Sequence, residues 1–330
     1  MAKRMFFVAS DLPFEADQWR RLEEAIAPDH MRVVDPRDND AVSSALAGAE
    51  AAILAGDLDQ RFIAAPALKW VHCNHAGLTR SARPEVFERG LIVTGSAGRS
   101  GAALAEHVMM FSLLLCSRYP DFYEAQKRQE WRRTAEMANL RALYGRTIGI
   151  LGMGHTGKEL AKRAQAFEMT VLGYRRRDQP LPDGVDRMYC SDRGEGIDEI
   201  LEQADILALV LNLSDATHHL IGAAQIARMK PSALIVNLSR GGVIDQDALI
   251  AALKEGRLAG AGLDVTDPEP LPAGHPLWDT PNVLLTPHFT AALPDKTERS
   301  LATIIENIRR YRDGQEMLNR LREEDLWSKS

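Results

Sequence analysis

Few folds are open to a chain in which an apolar strand runs into Gly-x-Gly-x-x-Gly and then into an amphipathic helix. Here the run is Ile148-Gly149-Ile150-Leu151-Gly152-Met153-Gly154-His155-Thr156-Gly157, followed by Leu160, Ala161, Ala164 and Phe167 at helical spacing. The three glycines differ in what they do. Gly152 makes the tight turn, Gly154 lets a pyrophosphate approach the backbone, and Gly157 lets helix and strand pack closely. The helix start at His155 and Thr156 offers unpaired N–H groups and a positive dipole end to the phosphates. A glycine triplet alone is an ordinary turn. Here strand, helix and a next strand ending in Val171-Leu172-Gly173-Tyr174 make a complete βαβ unit, which points to dinucleotide binding.

The rest of the chain repeats this alternation. In the first hundred residues, apolar runs at 5–9, 31–34, 52–54, 68–71 and 91–93 are predicted strands, and 14–26 and 42–46 predicted helices. A long helix from Gly101 to Cys116 is apolar almost all round, which implies burial, on this reading between two domains. The charged stretch 118–133 carries Trp131 and reads as either an exposed arm or a subunit contact. Further strands are expected at 147–151, 170–174, 206–210, 233–238, 260–265 and 283–285, and helices near 157–167, 225–229 and 246–255. A last helix over 295–311 is expected to return to the first domain. The fold class is therefore α/β with two doubly wound parallel sheets. A Rossmann nucleotide domain at 104–291 is expected to be inserted into a flavodoxin-like substrate domain made of 1–103 and 292–330.

The strand after the glycine fingerprint ends in Arg175-Arg176-Arg177, where an acidic residue would normally hold the adenine ribose. A charge run is most often a solvated loop. At this position guanidinium groups suit a 2′-phosphate, so NADP(H) is expected to be preferred, with Arg175 and Arg176 nearest to it and NAD(H) as the alternative.

Three segments fall at or just beyond strand ends, where open α/β sheets bind their ligands: Asn237 to Gly242, Gly262 to Pro270, and Thr286-Pro287-His288. With Ala105-Glu106-His107 and the glycine fingerprint, this ordered set resembles the D-isomer-specific 2-hydroxyacid dehydrogenase family, from about Leu68 to the final helix. The resemblance implies a catalytic trio of Arg240, Glu269 and His288. It also implies that Asp264 lies by the nicotinamide and that backbone N–H groups of the Ala76-Gly77-Leu78 loop hold the substrate carboxylate. Chemistry supports the trio independently. A permanently charged guanidinium suits an oxo acid, and imidazole can deliver a proton near neutral pH. A carboxylate partner favours the charged imidazole. Taken singly, each of the three is as readily a surface ion pair or loop residue. Two places depart from the family's habit: Asn212-Leu213 replaces a frequent proline, and Phe289 stands where smaller residues are common.

Composition narrows the class further. With a net charge of -6 and no basic stripe, nucleic-acid binding is not expected. No apolar run is long enough to span a bilayer, and Cys73, Cys116 and Cys190 lack metal-ligand spacing. These features imply a cytoplasmic enzyme with reduced thiols and no metal site. The family resemblance implies a D-2-hydroxy acid product made from a small 2-oxo acid such as glyoxylate or hydroxypyruvate. A homodimer is expected from Trp131 and from the family's habit. The rival from another class is a nucleotide-sensing protein of corepressor type, which keeps the fold and acts by binding.

Overall fold

In the computed structural model, which describes residues 3–131, 140–290 and 293–329, the chain forms two compact units. Unit 1 comprises Met1–Ser100, Ser214–Ala216 and Ala292–Ser330; unit 2 comprises Gly101–Leu213 and Thr217–Ala291. The boundary expected at residues 291 and 292, and the last two residues of the charged stretch, Arg132 and Arg133, lie outside the described residues.

Unit 1 begins with β1 Met5–Ala9, α1 Ala16–Ile26, β2 His30–Val34, α2 Asn39–Leu46 and β3 Ala51–Leu54. It continues with α3 Gln60–Ala64, β4 Trp70–Cys73, α4 Pro84–Glu88 and β5 Ile92–Gly95. Its sheet is parallel in the order β2-β1-β3-β4-β5. Successive strand residues point to opposite faces, and both faces are apolar. Phe7, Ala52, Val71 and Val93 pack with Val42, Leu46 and Phe62 on one side. Phe6, Val8, Ile53 and Trp70 pack with Leu22, Ile26, Leu301, Ile304 and Ile308 on the other. A parallel sheet covered on both faces explains why these strands read as continuous apolar runs.

Unit 2 opens with α5 Gly101–Cys116 and α6 Tyr119–Lys127. Then come β6 Thr147–Leu151, α7 His155–Ala166, β7 Thr170–Arg175, β8 Arg187–Cys190, α8 Asp198–Gln203 and β9 Ile206–Leu209. It ends with α9 Ala223–Arg228, β10 Leu234–Asn237, α10 Gln246–Lys254, β11 Gly260–Leu263 and β12 Val283–Leu285. All seven strands are parallel, in the order β12-β11-β10-β9-β6-β7-β8. This is the doubly wound nucleotide-binding order with one strand added, and the sheet reverses direction of growth beside β6. The all-round apolar helix α5 is embedded in this unit's own core through Ala105, Val108, Met109 and Phe111. The last helix, α11 Lys296–Arg312, belongs to unit 1.

Several elements differ from the expectation, among them the short helices α3, α4 and α8, which no expected helix covers. β8 is a short edge strand that begins with Arg187 after a proline- and glycine-rich loop, so its apolar signal spans only three residues. Much of the charged stretch is the helix α6, started by Pro120 in its first turn, a position that suits proline's fixed φ and missing N–H.

One polar chain runs through the core of unit 1 along β4 and β5, from Trp70 at the start of β4 to Asn74 just past its end. Trp70 Nε1 donates to Thr94 Oγ1 at 2.9 Å, and Thr94 Oγ1 meets His72 Nδ1 at 3.0 Å. His72 Nε2 meets Ser96 Oγ at 3.0 Å, and Ser96 donates to Asn74 Oδ1 at 3.0 Å. The one Ser96 hydroxyl proton goes to Asn74, so Ser96 accepts from His72 Nε2–H, and Nδ1 is left to accept from Thr94. The relay thus selects the neutral Nε2–H tautomer. Burial pushes the His72 imidazole down from 6.5 to about 3. The folded value lies below the unfolded one, so the unfolded chain binds the extra proton. This stability contribution is complete above pH 6.5 and is lost as pH falls toward 3. Urea unfolding between pH 4 and 6 is expected to show His72 contributing up to about 1.4 kcal/mol per pH unit to the acid loss of stability. His72→Gln is expected to flatten that slope; an equal slope in the variant would assign the acid sensitivity elsewhere.

Candidate active site

The glycine fingerprint is built for a close ligand. Gly152 has φ +107, and a Cβ on Gly157 would lie 2.2 Å from the Gly152 carbonyl oxygen, so helix α7 can meet its strand only with glycine there. A Cβ on Gly154 would meet nothing within 4 Å, so the backbone there faces open space. His155 is exposed and Thr156 half-buried at the first turn of α7, whose initial N–H groups have no helical partner. These residues fit a dinucleotide pyrophosphate.

At the end of β7, Arg175 is engaged by its own loop. The side chain is only 9% exposed, and its guanidinium donates to the carbonyls of Gln179 and Pro180, while its Nε is buried without a hydrogen-bond partner. Arg176 and Arg177 are half-buried beside it. The Arg176 carbonyl accepts from Asp192 N–H at 2.9 Å and from the Cys190 thiol at 3.1 Å, so the edge strand β8 fixes the backbone of this loop. Asp178, the nearest acid, is paired with Arg193 at 2.7 Å.

The other three segments converge at the carboxyl ends of β10, β11 and β12. Asn237 ends β10 and shapes the turn: its Oδ1 accepts from Ser239 N and Oγ at 3.0 and 2.6 Å, and its Nδ2 donates to the Arg240 carbonyl at 3.0 Å. The next residue is Gly241, where a Cβ would lie 2.1 Å from the Thr266 carbonyl. Only glycine lets the Arg240 turn sit directly on the Thr266–Asp267 backbone. The Arg240 guanidinium is half-buried and donates to the Ser239 carbonyl at 2.6 Å.

Glu269 is held at one oxygen by Thr266 N–H, 3.0 Å from Oε1. Its other oxygen lies 2.8 Å from His288 Nδ1. A carboxylate accepts, so Nδ1 carries a proton and Nε2 is the nitrogen left for other chemistry. The His288 side chain is 48% exposed. Its backbone has φ +52, unusual for a residue with a Cβ, and that turn is tied down from beneath. The Asp264 carbonyl accepts from His288 N–H at 2.8 Å, and Asp264 Oδ1 accepts from Phe289 N–H at 3.0 Å and from the Thr286 hydroxyl.

Asp264 is 2% exposed, and its carboxylate is engaged by Thr286, Phe289 and, more loosely, Thr290 at 3.4 Å. It anchors the His288 turn. Behind it lies His107 of α5, whose ring nitrogens meet Thr286 Oγ1 at 3.2 Å and Thr290 Oγ1 at 3.3 Å. Burial lowers the His107 pKa, and the Asp264 charge opposes that. The sequence marks His107 only as part of Ala105-Glu106-His107; nothing in that pattern tells that it braces Asp264. A cavity of about 480 Å³ lined by Leu234, Leu258 and Val283 opens at the amino ends of the same strands, away from His288.

In unit 1, the Ala76-Gly77-Leu78 loop leaves the carboxyl end of β4. Among the described residues no protein acceptor takes the N–H groups of Ala76, Gly77 or Leu78. The loop is braced on β5: Ser96 N–H donates to the His75 carbonyl at 2.9 Å, and Gly95 faces that oxygen and the Leu78 side chain. No group of three or more His, Cys, Asp or Glu residues able to hold a metal occurs among the described residues, and no helix there is long and apolar enough to cross a membrane.

Comparison with known proteins agrees with this geometry. Residues 109–290 match the family model described as D-isomer specific 2-hydroxyacid dehydrogenase, NAD binding domain. The chain is 33% identical over 308 residues to a glyoxylate reductase of Korarchaeum cryptofilum, covering 92% of this chain and 88% of that one. It superposes with a TM-score of 0.79 and 27% identity on a D-isomer specific 2-hydroxyacid dehydrogenase from Xanthobacter autotrophicus bound to NADPH, covering 98% and 99% of the two chains. A Sinorhizobium meliloti NADPH-dependent glyoxylate/hydroxypyruvate reductase, solved with NADP and sulfate, matches with a TM-score of 0.77 and 25% identity over 97% and 99%. With a glycine fingerprint, a carboxylate-held imidazole and an arginine turn ordered along one sheet edge, the chain belongs to the D-isomer-specific 2-hydroxyacid dehydrogenases and is an NAD(P)-dependent enzyme of that family.

Proposed function

We propose that the enzyme reduces a small 2-oxo acid, glyoxylate or hydroxypyruvate, to the D-2-hydroxy acid and prefers NADPH. The observation that carries this reading is the 2.8 Å contact between His288 Nδ1 and Glu269, beside an arginine turn that Gly241 holds against the same loop. When bound, the reduced nicotinamide supplies the hydride that adds to C2 of the oxo acid. The substrate carboxylate is held by the N–H groups of Ala76, Gly77 and Leu78, which makes unit 1 the substrate domain. Arg240 polarises the oxo group and steadies the developing alkoxide charge. His288 Nε2 delivers the proton to that oxygen, and Glu269 keeps the ring oriented with Nδ1 protonated throughout. In the reverse direction neutral His288 accepts the proton. The names of the glyoxylate and hydroxypyruvate reductases among its relatives support the choice of substrate.

His288→Asn is expected to lower kcat by about 10²–10⁴-fold while the affinity for NADPH, read by fluorescence titration, stays within about twofold. Near-normal turnover in that variant would take His288 out of the mechanism.

For the cofactor, the carbonyl contacts of Arg175 leave Arg176 as the ligand proposed for the 2′-phosphate. A charge-assisted bond is worth about 1.5–3 kcal/mol. Arg176→Ala is therefore expected to reduce the ratio of kcat/KM for NADPH over NADH by about 10–100-fold. The ratio should also fall with added salt, because the loop is partly exposed. An unmoved ratio, or a wild type equally efficient with both cofactors, would refute the assignment.

The reading includes a homodimer in the cytoplasm. Free thiols at Cys73, Cys116 and Cys190 suit a reducing compartment. Trp131, 101% exposed, is a residue type favoured at interface hot spots. Sedimentation equilibrium at micromolar concentration is expected to give twice the chain mass for the wild type and a shift toward monomer for Trp131→Ala; a wild-type monomer would rule the dimer out.

A further inference from the structure

Asp57 lies in the loop after β3, away from the catalytic trio in sequence and unused by the reaction described above. It is half-buried, and one oxygen of its carboxylate does two things. Oδ1 accepts from the Ser81 hydroxyl at 2.6 Å and lies 3.4 Å from His75 Nε2. His75 Nε2 is itself buried and has no hydrogen-bond partner of good geometry. These contacts sit at the two ends of one short segment: His75 immediately precedes Ala76-Gly77-Leu78, and Ser81 closes the 3₁₀ turn Thr79–Ser81 that follows. Ser81 is fully buried and also touches the Cys73 thiol at 3.7 Å, so this end of the segment is fixed in the core at the end of β4.

We propose that Asp57 is the positioning residue of the substrate loop: by gripping His75 and Ser81 it sets the line along which the N–H groups of Ala76, Gly77 and Leu78 receive the carboxylate of the 2-oxo acid. This rests on the reading of that loop as the carboxylate site. An anion beside an anion-binding loop is at first sight a penalty, since like charges at short range repel. The contacts answer this. Burial alone would raise the Asp57 carboxyl, yet the His75 and Ser81 contacts hold it below its ordinary value, so it is an ionised acceptor whose charge is directed to those two donors. The orphaned His75 nitrogen points the same way. It lies buried, with the Asp57 oxygen 3.4 Å away as its anionic partner. Of the other charged groups around the bracket, Arg80 on the same loop attracts Asp57, whereas neighbouring His72 stays neutral in its relay.

The test compares Asp57→Asn, Ser81→Ala and Leu78→Pro with wild type, using glyoxylate and hydroxypyruvate with NADPH. Leu78→Pro removes one loop N–H along with the Leu78 side chain that packs on the core and on Gly95, so its effect on KM is read beside its thermal transition. Asp57→Asn is expected to raise KM for the oxo acid at least tenfold with kcat and the NADPH dissociation constant each within about twofold. Ser81→Ala should act in the same direction by a smaller factor, and both should keep a cooperative thermal transition. A KM for Asp57→Asn that falls would mean that the charge merely repels substrate and would overturn the proposal. So would an unchanged KM, or a loss in kcat and NADPH affinity together. If Asp57→Asn fails to fold, Ser81→Ala alone decides, and a KM within twofold of wild type overturns the bracket. If Leu78→Pro leaves KM unmoved, the loop is not the carboxylate site and the bracket falls with it. If Leu78→Pro raises KM and Asp57→Asn does not, the loop reading stands and only the bracket fails.

Discussion

The arrangement at the catalytic edge of unit 2 depends on one close backbone approach, the seat of Gly241 on Thr266. Any side chain at 241 would push the Arg240 turn away from the loop that carries Glu269. Because Thr266 N–H also fixes the Glu269 carboxylate, the arginine turn, the acid and the imidazole are referenced to the same few backbone atoms. Positional error is thus shared instead of accumulated, which matters where a misplacement of about 1 Å can cost about 10²-fold in rate.

Behind that edge lies a polar layer whose members face inward. Asp264 turns its carboxylate toward the His288 turn, and His107 braces the two threonines around it. Unit 1 has a comparable device in the relay from Trp70 to Asn74, two residues before the Ala76-Gly77-Leu78 loop. In both units the network includes a buried histidine whose pKa burial lowers. Every member of such a network must be satisfied for it to be stable, and a satisfied network specifies one geometry. The left-handed φ of His288 illustrates the benefit: about 1–3 kcal/mol of backbone strain is tolerated because three hydrogen bonds over-determine the turn.

How much of this was legible in the sequence follows from what each feature depends on. The strands and helices of both sheets depend on local apolar period, and most were readable within two residues. The glycines at 152, 154 and 157 announced a phosphate site because their spacing is itself the geometry. Arg240, Glu269 and His288 were readable as an ordered set at strand ends. What could not be read depends on where a side chain turns. Nothing in the run Arg175-Arg176-Arg177 tells that Arg175 donates to carbonyls four and five residues on. Nothing around Asp264 tells that its carboxylate is engaged by Thr286 and Phe289. Asp57 and His75 lie on different loops and meet only because β3 and β4 are adjacent in the sheet. The edge strand β8 escaped notice because a four-residue strand with an arginine at its start has almost no periodicity to display.

The placement of α11 has a consequence for how the chain comes into being. One face of the unit 1 sheet is closed by Leu301, Ile304, Ile308 and Met317, which pack on Phe6, Val8 and Trp70 from the other end of the chain. A ribosome delivers residues in order and domains fold as they emerge. All the strands of unit 2 have emerged once β12 is made, while one face of the earlier-made unit 1 sheet still has only α1 against it and lacks the apolar side chains of α11. The first-synthesised sheet is thus the last to mature, and until the final helix arrives it is the surface that a holding chaperone would shield.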